Sequence, residues 1–132
     1  SLPEKDRKSA VFYEKLLVEM CRRLAGLQCA DGTWHSSLLD PDAYPAPETS
    51  GTGLIVYAMA YGINRGVLPA DEFLPVVERG WAALVRAVDT EGKPGWVQPV
   101  GENPQNVTKN MTAVYGTGAF LMAASEVLQL SK

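Results

Sequence analysis

Gly51-Thr52-Gly53-Leu54-Ile55-Val56-Tyr57-Ala58-Met59-Ala60-Tyr61-Gly62-Ile63-Asn64 contains no charged side chain, and Thr49 and Ser50 before it add none. A helix this apolar on every side has to be buried all round. A second such run begins at Gly116-Thr117-Gly118-Ala119-Phe120-Leu121 and stays uncharged until Glu126. Each run has the same prelude. Asp31-Gly32-Thr33-Trp34 and a Pro-rich loop precede the first; Glu91-Gly92, then Trp96, and a Pro/Asn-rich loop precede the second. The offsets are 60 residues for the acidic-Gly pair, 62 for the Trp and 65 for Gly-Thr-Gly. A shared order of such unlike elements marks a repeated supersecondary unit.

Each prelude follows an amphipathic segment. Over residues 9–28, Val11, Phe12, Leu16, Met20, Leu24 and Leu27 recur at helical spacing, with Glu14, Lys15, Glu19, Arg22 and Arg23 on other faces. Over roughly 70–88, Val76, Val77, Trp81, Leu84, Val85 and Val88 form the equivalent stripe, with Pro75 in the first turns, where a missing N–H costs little. The pattern predicts amphipathic outer helices and apolar inner ones. Thr49 or Ser50 is the expected cap of the first inner helix, and Gly66 its stop. A short hairpin is expected within Thr33 to Leu39. The fold class that follows is all-α: a segment of an α/α-hairpin toroid, one domain over 1–132, with repeats at about 9–66 and 67–130.

Both long loops run from an outer to an inner helix, so they share one rim, with the short turn around Arg65 to Pro69 at the other end. Trp34, His35, Tyr44, Trp96, Gln98, Asn103, Asn106 and Tyr115 are expected there. The inner helices point their N-termini at the same rim, with unpaired N–H groups and partial positive charge.

A net charge of −3 without a basic run argues against nucleic acid. No apolar stretch reaches the roughly 18 residues of a membrane span. The chain opens on Ser1 without a leader-like segment, which favours the cytoplasm. Cys21 and Cys29 are eight residues apart, too far along one helix for a disulfide, and read as free, buried thiols.

Aromatic rings beside amides and an imidazole suit a carbohydrate, and positive helix ends favour a carboxylate on that sugar. Trp34, His35, Tyr44, Trp96 and Tyr115 are the candidate substrate-binding residues; equally, the two indoles could plug the gap between loops and helices. On a strand, Trp34 and His35 face opposite ways. Asp31, Asp40, Asp42, Glu48, Asp89, Glu91 and Glu102 supply carboxylates, but no spacing singles out the pair that glycoside hydrolysis requires. Asp31 and Glu91 beside glycine read as turn formers, and Glu48 favours the helix dipole. No catalytic residue is assigned, and no metal-ligand set, phosphate loop or cofactor motif stands out.

The segments Asp31-Gly32-Thr33-Trp34-His35, Leu39-Asp40-Pro41, Tyr44, Glu48-Thr49-Ser50-Gly51-Thr52 and Tyr115 to Leu121 resemble the unsaturated uronyl hydrolases, the unsaturated glucuronyl and rhamnogalacturonyl enzymes built as six-hairpin α/α barrels. The resemblance covers about residues 16–130 and corresponds to the C-terminal third of those enzymes. It implies a partial six-hairpin barrel. It also implies that the aspartate that protonates the unsaturated ring lies upstream, so that the lone chain is not catalytic. Gln28, Asp31, Gly32 and Trp34 also fit a Gln-x-x-Asp-Gly-x-Trp pattern of terpene cyclases, but the second repeat has Val88 near the matching Gln position and the cyclases' Asp-rich segment is missing. The expected function is that of part of a hydrolase of unsaturated uronic-acid oligosaccharides; the alternative is a non-catalytic module that binds acidic oligosaccharide or serves oligomerisation. Two all-round apolar helices in an open arc leave an apolar edge, which predicts a homo-oligomer.

Overall fold

The computed structural model describes residues 4–101, 103, 104 and 106–131; Glu102 of the acidic set lies outside the described residues. Four helices dominate: α1 (Glu4–Ala25), α2 (Thr49–Asn64), α3 (Ala70–Arg86) and α4 (Val114–Leu130). Two short strands, β1 (Trp34–His35) and β2 (Pro47–Glu48), pair antiparallel with Trp34 opposite Glu48. The fold is the expected arc of an α/α toroid. α2 packs along α4 and against α3, which makes α2 and α4 the inner layer. The outer helices α1 and α3 are tied by Arg22 Nε to Glu72 Oε1 at 3.0 Å.

The repeat is visible atom by atom at its turns. Cys29 N–H donates to Thr33 O and Gly32 N–H to Cys29 O; sixty residues on, Asp89 N–H donates to Lys93 O and Gly92 N–H to Asp89 O. Gly32 and Gly92 both take left-handed backbone, at φ 90° and 82°. The core collects Trp34, Val56, Met59, Phe73, Val77 and Leu84. Gly53 lets the inner helices meet closely, since a Cβ there would lie 3.0 Å from Ala119.

Several local expectations are corrected. α1 starts at Glu4, where Glu4 and Asp6 suit the positive helix end, and stops at Ala25, after which Leu27 and Gln28 turn back onto Leu24 O and Ala25 O. Its packed face carries Leu17, Val18, Cys21, Leu24 and Ala25, whereas Val11, Phe12, Leu16 and Met20 are exposed. Apolar side chains surround much of this helix, and the face with the small Cys21 and Ala25 is the one that approaches closely. The hairpin expected within 33–39 does not form; β1 pairs across the loop with 47–48 instead. Glu48, not Thr49 or Ser50, caps α2. α3 ends at Arg86, and Val88 bridges to Pro94. The inner helices are not buried all round either: Leu54, Leu121, Met122 and Leu128 are exposed, because the arc is open. Cys21 and Cys29 are both free, but Cys29 lies past the helix and is only half-buried. Among the described residues no helix is long and apolar enough to cross a membrane.

Candidate functional site

The two long loops do meet at one rim, and one carboxylate joins them. Glu48 is buried between them. Its Oε1 accepts from Ser50 N–H at 3.0 Å, Ser50 Oγ at 2.7 Å and Gln98 N–H at 3.1 Å, and its Oε2 accepts from Gly51 N–H at 2.7 Å. The Ser50 and Gly51 groups belong to the first turn of α2, and the Gln98 N–H to the second loop. A buried carboxylate needs such partners, and two of them, the Ser50 and Gly51 amides, have no carbonyl partner within the helix. The positive end of α2 is therefore filled by the chain's own carboxylate, which corrects the expectation that it could hold a sugar acid. Around it, Thr49 Oγ donates to Gly95 O at 2.6 Å, and Thr49 N–H to Trp96 O at 3.0 Å. Thr52 Oγ takes Trp34 N–H at 3.0 Å and gives its proton to Glu48 O at 2.7 Å.

Trp34 does not face the rim. It is 2% exposed, its indole N–H donates to Leu24 O at 2.8 Å, and its ring lies under Gly80 of α3. Stacking on a sugar is not open to such a ring, so the substrate-binding role expected of Trp34 is replaced by a structural one: it pins the first loop to α1. His35, the next residue, faces the other way and keeps 12% side-chain exposure. Its Nδ1 is 3.2 Å from Pro41 O, and its Nε2 sits 3.5 Å from Asp31 Oδ2, an ion-pair distance without the alignment of a hydrogen bond. Burial opposes ionisation of Asp31, but the Thr33 N–H and hydroxyl, with His35, outweigh it and hold the carboxyl below its ordinary pKa of 3.8.

From His35 the rim runs on through its neighbour. Ser36 Oγ donates to Gln98 Oε1 at 3.3 Å, and Tyr115 OH donates to Gln98 O. Tyr44 ends the 3₁₀ turn Pro41–Ala43, half-buried, bonding the same Pro41 carbonyl as His35. So His35, Tyr44 and Tyr115 are linked through Pro41, Ser36 and Gln98. Trp96 is set apart. It adopts left-handed backbone at φ 59° and lines a cleft of about 200 Å³ against Ala83, Arg86 and Ala87 at the end of α3, with Asp31 and Thr49 as further walls. Asn103 and Asn106 are exposed on the second loop.

Asp89 accepts from Glu91 N–H and Lys93 N–H within its turn, and Glu91 pairs with Lys93. Among the described residues no group of three His, Cys, Asp or Glu could hold a metal ion. Sequence reasoning missed the bridging role of Glu48, although its position just before Thr49-Ser50-Gly51 is where a cap must stand.

With this geometry, residues 1–131 match the profile of Glycosyl Hydrolase Family 88. The chain belongs to that family. It is 42% identical over 127 residues to an unsaturated 3S-rhamnoglycuronyl hydrolase of Formosa agariphila, covering 96% of this chain and 34% of the relative. It is 44% identical over 130 residues to a protein of the same name from an Alteromonas species, covering 98% and 30% respectively. A solved family 88 hydrolase from Bacteroides vulgatus superposes with a TM-score of 0.90 at 42% identity, over 97% of this chain and 38% of that one. The chain thus spans about a third of the length of the relatives it matches. The resemblance to the unsaturated uronyl hydrolases and the six-hairpin class of fold both hold.

Proposed function

We propose that this chain forms one wall of the substrate cleft of a hydrolase acting on unsaturated uronic-acid oligosaccharides. The observation that carries the reading is the identity of 42–44% to two unsaturated 3S-rhamnoglycuronyl hydrolases along nearly the whole chain, rim included. In this reading His35, Tyr44, Trp96 and Tyr115 meet the sugar. Trp34 acts from beneath, by fixing the strand that presents His35. Tyr115 and Trp96 offer ring faces of the kind that pack on sugars; the Gln98 carbonyl holds the Tyr115 hydroxyl, and the Trp96 carbonyl is tied to Thr49 N–H. Asp31 and Asp89 hold turns and Glu48 a helix end, and the proton for the unsaturated ring is assigned to a part of the enzyme outside this chain, so the isolated chain turns nothing over.

Calorimetry with an unsaturated rhamnoglycuronyl oligosaccharide tests this, together with the ultraviolet absorbance of the ring double bond. Expected are binding heat that Trp96→Ala and Tyr115→Ala reduce, and unchanged absorbance. Loss of absorbance with the purified chain overturns the inactivity. Absence of heat with the unsubstituted chain favours the second reading, an assembly module, for which the exposed Leu121 and Leu128 of α4 speak.

A further inference from the structure

The two indoles of the repeat do different work. Trp34 holds the first connector to the helices: its indole N–H donates to Leu24 O, and its ring packs beneath Gly80. Trp96 does neither. It stands in left-handed backbone at φ 59°, which crowds a Cβ. Bonds on either side keep it there, from Gly95 N–H to Ala87 O and from Thr49 N–H to Trp96 O, both at 3.0 Å. Backbone strain of this kind gathers at ligand clamps. The indole lines the cleft of about 200 Å³ at the end of α3, and among the described residues its N–H has no partner. Arg86 is the cation of the same cleft. Its Nη2 donates to Asp31 O at 2.8 Å, which fixes the guanidinium against the first connector, and no carboxylate among the described residues pairs with it. The other polar walls are already engaged. Asp31 Oδ1 takes the N–H and hydroxyl of Thr33, Asp31 Oδ2 faces His35, and the Thr49 hydroxyl donates to Gly95 O.

We propose, building on the reading that this rim meets an acidic oligosaccharide, that the cleft takes one carboxylate-bearing sugar unit, with the Arg86 guanidinium on the acid and the Trp96 ring on the sugar face. The positive end of α2 is closed by Glu48, so the charge that holds the acid has to come from a side chain. At this end of the arc Lys93 pairs with Glu91, Arg79 Nε bonds Gln28 Oε1 at 3.0 Å, and Lys109 shares a separate cavity with Asp89. Arg86 has spent one N–H on a carbonyl, and the rest of its planar fork matches the two oxygens of a carboxylate. The volume lies below the roughly 300–1,000 Å³ of a typical ligand pocket, which suits one unit of a sugar chain rather than the whole of it. The cleft also adjoins the rest of the rim, because Pro47 in its wall is the residue that pairs with His35 across the ribbon.

The chain has three Trp residues, and the indole N–H signals of a proton–nitrogen correlation spectrum separate them. The Trp96 signal is the one that Trp96→Phe removes. Free glucuronate at millimolar concentration is expected to shift it saturably, while glucose and acetate, each carrying half of the chemistry, shift it far less. Arg86→Gln is expected to weaken glucuronate by about tenfold or more and to abolish its advantage over glucose, since a charge-assisted hydrogen bond is lost. Arg86→Lys keeps the charge without the fork and should fall between. The comparison of glucuronate with glucose and acetate on the unsubstituted chain does not depend on either variant folding. Equal shifts from glucuronate and glucose overturn the role of Arg86, and equal shifts from glucuronate and acetate overturn that of the indole. A Trp96 signal that glucuronate leaves unmoved, beside binding heat from the unsaturated oligosaccharide, overturns this site and leaves the proposed function standing. Glucuronate bound in the cleft without heat from the oligosaccharide supports the site and overturns that function.

Discussion

Gly32 and Gly92 perform the same turn sixty residues apart in different surroundings, which makes a controlled experiment. Both sit at positive φ, where an alanine costs about 1–2 kcal/mol by crowding its Cβ against the following carbonyl. At Gly92 that is the whole effect, since nothing lies within 4 Å of the position a Cβ would take. At Gly32 the same Cβ would stand 2.5 Å from Arg79 O and 3.1 Å from its carbonyl carbon, both backbone atoms of α3. No side chain can swing away, so the loop or the helix must shift, at a further cost of about 1–3 kcal/mol. Gly32→Ala is thus expected to destabilise by about 2–5 kcal/mol and Gly92→Ala by about 1–2 kcal/mol. Urea unfolding followed by far-ultraviolet circular dichroism reads both, at one fixed chain concentration because association adds to apparent stability. Equal losses for the two variants would refute the argument, because they would mean that the first turn does not abut α3.

Other expectations follow from the site. Glu48→Ala removes the acceptor for four donors at once and is expected to cost about 2–4 kcal/mol in urea unfolding, with Glu48→Gln milder because one acceptor oxygen remains. Asp31 is held below its ordinary pKa of 3.8 in the folded chain, so its contribution to stability is present above that pH and disappears as pH falls through the lower folded value. The stability gap between the unsubstituted chain and Asp31→Asn should accordingly close on acidification below about pH 4. Thiol labelling of the native chain should find Cys29 first and Cys21 only on unfolding, since burial raises both thiols but shields Cys21 more; equal rates would contradict the packing of α1.

The uncharged runs made α2 and α4 legible because period and charge both pointed to burial, and the bounds of α2 emerge as read. The repeat of acidic-Gly turns was legible because left-handed backbone demands glycine. The Trp correspondence was not. An offset of 62 aligned two indoles whose backbones do different things: Trp34 sits on a strand and is buried, while Trp96 follows Gly95 in left-handed backbone and faces a cleft. Composition cannot separate an indole that plugs a core from one that lines a pocket; that depends on what lies beneath, here Leu24 O and Gly80. The face of α1 was misread for a related reason. With apolar residues on most of its circumference, periodicity offers two adjacent stripes, and side-chain volume rather than hydropathy selects between them. Glu48 was read only as a charge suited to a dipole, because its fourth donor, Gln98 N–H, lies fifty residues away in sequence.

The sharing of Glu48 bears on how such a rim could be re-engineered. A transplanted 26–48 loop would arrive with a carboxylate shaped for a Gln98 amide it had never met, and a transplanted 87–113 loop would find its anchor on foreign backbone. Specificity grafts should therefore move the two connectors as a matched set, and chimaeras that exchange one alone should lose cooperativity of unfolding before they gain a new ligand.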